Sequence, residues 1–322
     1  MASPCVVGVD MGGTKLLAGV LDSNLRVHHR AHRAMQGLDQ EGLLDAVLDA
    51  VGELRAAAAE SVVAAGFGIP CTFDRRRGVA VQAVNLPLSD VPFADVMTER
   101  LGLPSLVDND ANLAALGEHR AGAGRGVSHL VALTVGTGIG GGVVVEGRLL
   151  RGWIGAGAEL GHVVIDADGP SCQGNCPNRG CLEAVASGTA LAREARAAAE
   201  AEPTSALGRA FASGREVTGP LVTELAHDGD AAARAVLELI GRRLGVGVAN
   251  YVNVFNPEVV VLGGGVMAAG ELLLEPARAE VVARALAPAR DVVRVEAAHL
   301  GAEAGMVGAA ALALDSLHGN AE

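Results

Sequence analysis

Aromatic side chains are scarce in this sequence: its 322 residues include one Trp, one Tyr and five Phe. That scarcity argues against the stacking platforms used by single-strand nucleic-acid binders and by many polysaccharide-binding surfaces. A sugar ligand would have to be held mainly by polar groups. Basic residues are also few. Twenty-five Lys and Arg against 37 Asp and Glu give a formal charge of −12, so there is no cationic excess to release counterions from a phosphate backbone, and no nucleic-acid partner is expected. Long apolar runs are missing too: none approaches the ~18 residues needed to cross a bilayer, and no charged segment followed by an apolar one opens the chain. A cytoplasmic location, with no membrane partner, is expected. Cysteine is present as an odd count of five, three of them within ten residues, which fits metal binding better than a secreted disulfide framework.

The composition, half apolar by residue count, and the length support two lobes of ordinary size. Cys5 to Asp10 reads as a buried strand, Met11 to Lys15 as a glycine turn and Leu16 to Leu21 as a second strand, giving a hairpin. Helical spacing over Gly42 to Glu60, a strand over Val62 to Ile69, a helix over Phe93 to Leu101 and a strand ending at Asp108 complete a mixed α/β lobe. The glycine-rich stretch from Arg120 to Ser128 reads as a linker. After it, His129 to Val135, a glycine cluster and Gly142 to Glu146 repeat the strand, turn, strand pattern. Helices are expected over Ala190 to Ala201 and Ala231 to Tyr251, and a strand from Glu258 to Leu262. The expected division is a smaller lobe over 1–120, a larger one over 121–301 and a C-terminal helix, within 302–322, returning to the first lobe.

Five clusters carry chemistry. In Asp10-Met11-Gly12-Gly13-Thr14-Lys15 the glycines let backbone N–H groups approach phosphate oxygens, Thr14 adds a hydroxyl, Lys15 adds charge, and Asp10 is placed to organise a Mg²⁺ shell. The Walker A spacing fails and a strand follows instead of a helix. Gly136-Thr137-Gly138-Ile139-Gly140-Gly141 formally contains the dinucleotide fingerprint, but a strand again follows, so a second phosphate clamp suits it better. Gly263-Gly264-Gly265 reads either as a close approach to nucleotide or as a tight turn. In Asp108-Asn109-Asp110-Ala111-Asn112, Asn109 suits sugar hydroxyls and Asp110 suits the proton of an attacking hydroxyl; helix capping explains one of these residues but not all four. Finally, His162, Cys172, Cys176 and Cys181 make a closed four-ligand set for structural Zn²⁺, flanked by Glu159 and Glu183.

Taken together, these strings resemble the ROK family of sugar kinases, within the two-lobed actin and hexokinase type of ATPase fold built on ribonuclease H-like lobes. The order of the motifs matches over nearly the whole chain. The resemblance implies a hexokinase of the glucokinase type that uses ATP with Mg²⁺ to phosphorylate the 6-hydroxyl of glucose. It implies Asp110 as general base and Asn85, Asn109, Glu159, His162 and Glu183 as hexose contacts, with Zn²⁺ on His162 and the three cysteines. His162 would use one ring nitrogen for zinc and its other side for sugar. Family members commonly form dimers or tetramers, so a homodimer or homotetramer is expected. The family zinc motif usually has two residues from its first to its second Cys, whereas here Cys172 stands four before Cys176 and Pro177 replaces a glycine. With the first phosphate motif at Asp10, the N-terminal helix-turn-helix of family repressors is not expected. Rival readings are a kinase for fructose, mannose or an N-acetylated aminosugar, a polyphosphate-dependent enzyme, and a non-catalytic sugar sensor. For this scheme ATP·Mg²⁺ is expected between the lobes, which close on the sugar.

Overall fold

The computed structural model describes residues 4–74, 76–83 and 86–317. They group into two compact units, one of residues 4–128, 142–158 and 299–317, the other of 129–141 and 159–298. The chain thus changes unit inside a strand, at Gly142, rather than only at the linker. A Cβ on Gly142 would lie 2.4 Å from the Ala115 Cβ and 3.0 Å from the Ala111 carbonyl oxygen, so only glycine lets that strand lie against the helix carrying both residues.

The first unit opens with β1 (Cys5–Met11), β2 (Lys15–Leu21), β3 (Val27–Ala34), α1 (Gln40–Ala57) and β4 (Val62–Ile69). It continues with β5 (Cys71–Asp74), β6 (Val79–Ala83), β7 (Ser89–Val91), α2 (Phe93–Leu101), β8 (Ser105–Asn109) and α3 (Asp110–Ala121). Its main sheet has the order β3-β2-β1-β4-β8. The β1–β2 hairpin is antiparallel, and β1–β4 and β4–β8 are parallel. β5, β6 and β7 form a small separate sheet. Helix α1 starts where Asp39 accepts a hydrogen bond from the Gly42 N–H, and it buries Leu43, Leu44, Val47, Ala50, Val51 and Leu54 along one stripe, the spacing of an amphipathic helix.

The second unit contains β9 (Leu130–Val135) and β10 (Ile139–Val145), which runs on into the first unit toward β11 (Arg148–Leu149). Then come α4 (Leu182–Ala186), α5 (Gly188–Ala201), α6 (Ala206–Ala212), α7 (Gly219–His227), α8 (Ala231–Phe255), β12 (Val259–Gly263), α9 (Glu271–Arg284), α10 (Ala289–Val292) and β13 (Arg294–Ala297). The second sheet has the order β11-β10-β9-β12-β13, with β9, β12 and β13 parallel. Gly241 and Gly245 of α8 allow α9 to cross closely: a Cβ on either would stand 2.5 Å from a carbonyl oxygen of Leu273 or Ala277.

The last helix, α11 (Ala304–Leu317), belongs to the first unit. It lies on a row of glycines that crosses three strands, since Gly8 of β1 is in register with Gly19 of β2 and with Gly66 of β4. A Cβ on Gly8 would come 2.0 Å from the Met306 carbonyl oxygen, and one on Gly66 would come 1.9 Å from that of Ala309. Backbone therefore packs on backbone, and α3 completes the layer through Gly117 and Gly308. Among the described residues no helix is long and apolar enough to cross a membrane.

Candidate active site

In the first unit the β1–β2 turn is closed by a hydrogen bond from the Gly12 N–H to the Lys15 carbonyl, and the Thr14 carbonyl is taken up by the Met35 N–H. Among the described residues the Gly13 and Thr14 N–H groups have no partner, leaving two adjacent donors at the turn. Asp10, at the end of β1, pairs in register with Gly68 of β4. A Cβ on Gly68 would meet the Asp10 carboxylate at 3.6 Å and the Asp110 Cα at 3.5 Å, so Asp10 and Asp110 converge over one bare glycine. Burial, and then the Asp110 charge, push the Asp10 carboxyl up to about 7, partly opposed by Lys15. Gly305 of α11 backs the same group, because a Cβ there would fall 2.6 Å from the carboxylate.

Asp110 is the first residue of α3, placed there by a polar network. Asn109 is the N-cap, its Oδ1 accepting from the Ala111 and Asn112 N–H groups, while its Nδ2 donates to the Cys71 carbonyl at 3.3 Å. Its side-chain oxygen is thus occupied by capping, and one amide hydrogen is left for another acceptor. Buried Asp108 accepts from the Asn109 N–H and Asn112 Nδ2 through Oδ1, and from Arg151 Nε through Oδ2. Arg151 and Asp108 carry no sugar role in the sequence motifs, and nothing in the pattern of residues around Arg151 marks it as their partner.

The glycine loop of the second unit has its carbonyls fastened inward. The Gly136 oxygen accepts from the Gly188 N–H at 2.7 Å, the Gly138 oxygen from the Gly136 N–H at 2.9 Å, and the Thr137 oxygen from Thr189 Oγ1 at 2.9 Å. The Ile139 N–H donates to Glu183 Oε2 at 2.8 Å. Among the described residues the N–H groups of Thr137 and Gly138 have no partner, which leaves two consecutive donors, as an anion-binding loop requires. A Cβ on Gly138 would stand 2.3 Å from Glu183 Oε2, so a larger residue there would push that carboxylate off the Ile139 N–H. Thr189 was not singled out in the sequence; the available signal was the Ser187 N-cap of α5 two residues earlier.

The donor atoms of His162, Cys172, Cys176 and Cys181 all lie within 4.8 Å of one another. His162 turns Nδ1 toward Cys172 Sγ at 3.5 Å, and the Cys176 and Cys181 sulfurs are 3.8 Å apart. All five cysteines are free thiols. Three thiols and one imidazole converging on one point match the soft, four-coordinate preference of Zn²⁺. Cys172 reaches the cluster despite its spacing because Gly174 adopts φ +58 and the Cys172 N–H bonds to the Asn178 carbonyl, folding the extra residues into a turn. Glu183 links cluster and loop: Oε1 lies 3.7 Å from Cys172 Sγ while Oε2 holds Ile139. Glu159 is exposed; its carbonyl accepts from the His162 N–H at 3.1 Å while its carboxylate has no partner among the described residues, and it follows Ala158 at φ +63, a costly left-handed conformation for a residue with a Cβ.

Gly264, at φ +91, lies against the backbone of Val135, where its Cβ would come within 2.4 Å, whereas Gly265 faces open space. Gly264 therefore serves the turn, and Gly265 has the room that a ligand needs. A 3-10 turn over Gly265–Ala269 follows and leads into α9. Asn85 lies outside the described residues.

The family model described as the ROK family matches residues 6–316. The chain is similar to a glucokinase of Thermotoga maritima (strain ATCC 43589 / DSM 3109 / JCM 10099 / NBRC 100826 / MSB8), 38% identical over 98% of both chains. It is also similar to a glucokinase of Streptomyces coelicolor (strain ATCC BAA-471 / A3(2) / M145), 36% identical over 95% of this chain and 96% of the other. Among solved structures, a ROK family glucokinase from Streptomyces griseus in complex with glucose and AMPPNP superposes with a TM-score of 0.83 at 37% identity, covering 96% of this chain and 99% of that one. A family model matched from residue 6 to residue 316 and relatives matched over nearly their full length place the chain: it belongs to the ROK family.

Proposed function

We propose that this protein is an ATP-dependent hexokinase of the glucokinase type, transferring the γ-phosphoryl group of ATP to the 6-hydroxyl of glucose. The observation that carries the reading is the pair of glycine loops with adjacent N–H groups free, the second with its carbonyls tied back, together with a carboxylate, Asp110, fixed at the start of α3. The relatives named glucokinase, matched over almost their full length, support the choice of substrate.

In this reading the Gly13, Thr14, Thr137 and Gly138 N–H groups receive phosphate oxygens, Lys15 adds a positive charge, and Gly265 leaves room for the nucleotide. Asp10 would organise the hydrated Mg²⁺ that accompanies ATP and neutralises its phosphates. Asp110 accepts the proton of the sugar hydroxyl as that oxygen bonds to phosphorus and the bond to ADP breaks. Phosphoryl transfer is loose and needs alignment more than strong basicity, so a carboxylate is an adequate proton acceptor. Asn109, Glu159, His162 and Glu183, with Asn85, supply hydroxyl partners. A Zn²⁺ on His162, Cys172, Cys176 and Cys181 would be structural, because four protein ligands leave no open position for substrate. The protein would act in the cytoplasm as a homodimer or homotetramer.

A coupled assay across glucose, mannose, fructose and N-acetylmannosamine, with MgATP or polyphosphate as donor, tests this. The expected result is the highest kcat/KM with glucose and MgATP. A clear preference for another hexose or for polyphosphate overturns the substrate assignment, and no turnover with any pair overturns the kinase reading.

A further inference from the structure

The unusual spacer between Cys172 and Cys176 places Gln173 where its side-chain amide meets the glycine loop. Gln173 Nε2 lies 3.2 Å from the Thr137 carbonyl oxygen and 3.2 Å from Ser187 Oγ. A carbonyl oxygen only accepts, so the nitrogen end of the amide must face it, and one NH₂ group has two hydrogens for these two acceptors. Ser187 is fully buried and is the N-cap of α5, its Oγ accepting from the Ala190 N–H. Gln173 therefore ties the tip of the loop to a fixed point of the scaffold. Thr189 holds the same Thr137 oxygen from the other side. Together they orient the peptide that joins Thr137 to Gly138, whose N–H is one of the two consecutive donors.

We propose that Gln173 is a positioning residue for nucleotide: it holds the Thr137 carbonyl inward, and so keeps the neighbouring N–H groups turned toward the phosphates. This rests on reading the loop as the phosphate clamp. The spacer also acquires a purpose. A spacer two residues longer than usual lengthens the turn enough to present Gln173 beside Thr137, while Gly174 at φ +58 returns the chain to Cys176. The cysteine turn then serves the phosphate loop as well as the metal ligand set.

The test uses the full-length protein with Gln173→Met, which keeps the shape and removes both donors, and Gln173→Glu, which also sets a carboxylate against the Thr137 oxygen. The measurements are KM for MgATP at saturating glucose, KM for glucose at saturating MgATP, affinity for MgAMPPNP without sugar, and zinc content. Gln173→Met should raise the MgATP KM about five- to tenfold and weaken MgAMPPNP binding by a similar factor, roughly the loss expected from neutral hydrogen bonds. Gln173→Glu should be worse. Glucose KM should stay within about twofold, with zinc unchanged. An unchanged MgATP KM in Gln173→Met, or MgATP and glucose KM rising together, overturns the positioning role while leaving the kinase assignment intact. A wild-type protein that binds no MgAMPPNP overturns the phosphate-clamp reading itself, and this inference with it.

Discussion

Arg151 Nε donates to Asp108 Oδ2 at 2.5 Å, and both side chains are largely buried, at 11% and 6% exposure. The pair fastens the segment after β11 to the strand that delivers Asp110. A buried charge that loses its partner costs far more than an exposed pair contributes. Arg151→Met is therefore expected to destabilise the protein by about 3 to 5 kcal/mol. The double variant Asp108→Asn/Arg151→Met should recover part of that loss, since no orphan charge remains. Urea denaturation of the single and double variants checks it, and additive losses would show that the two groups are not coupled.

The row of glycines under α11 gives a second expectation. Gly66→Ala would place a Cβ 1.9 Å from the Ala309 carbonyl oxygen, and Gly308→Ala one 1.7 Å from that of Leu113. Backbone cannot yield as a side chain can, so each should cost several kcal/mol, on the scale of severe overpacking or more. Gly52→Ala is the contrast. It lies in α1 with nothing within 4 Å of the added Cβ, and should stabilise by about 0.5 to 1 kcal/mol from helix propensity. Thermal melts of the three variants decide the matter.

Asp110→Asn should retain glucose binding and lose turnover by about 10²-fold or more, the scale of removing a general base. Asn109 still caps α3 in that variant, because the capping oxygen is its own, so the helix start should survive. Steady-state kinetics with a fold check would decide. A kcat within a few-fold of wild type removes Asp110 from the proton-transfer role.

Asp10 makes stability depend on pH. Folding raises its carboxyl from an ordinary 3.8 to about 7, so between those values the folded protein holds a proton that the unfolded chain has lost. Stability from this group is full below about pH 4 and declines as pH rises through 7. Asp10→Asn stays neutral throughout. Without ligands it should be as stable as wild type near pH 4, and more stable above pH 7 by up to a few kcal/mol. Melts across pH 4 to 8.5 test the sign; a gap that widens on acidification contradicts it.

Zinc should be present at one ion per chain. Cys176→Ala and Cys181→Ala should each lose it, together with stability, because binding free energy at a structural site is folding free energy. Cys172→Ala is the informative variant, since its spacing is unusual while its sulfur lies 3.5 Å from His162 Nδ1. Elemental analysis showing full zinc in Cys172→Ala would remove that residue from the ligand set.

The sequence by itself determined the two glycine-turn hairpins, the strand from Val62 to Ile69, the helix from Phe93 to Leu101 and the family, because each is written in neighbouring residues. Local periodicity and motif order need no knowledge of distant partners. The strand Val27–Ala34 was not legible. It is an edge strand with Ala31 alone fully buried, and its His and Arg side chains show no apolar alternation. The Gly8, Gly19 and Gly66 row is likewise spread over three strands, and only their register makes it a bed for α11. The Cys cluster was visible as a ligand count, but the sequence did not say that Gln173 within it would reach Thr137, 36 positions away. Whether a carbonyl is tied back and its neighbouring N–H left free depends on partners brought together by folding, and those long-range hydrogen bonds leave no mark in local sequence.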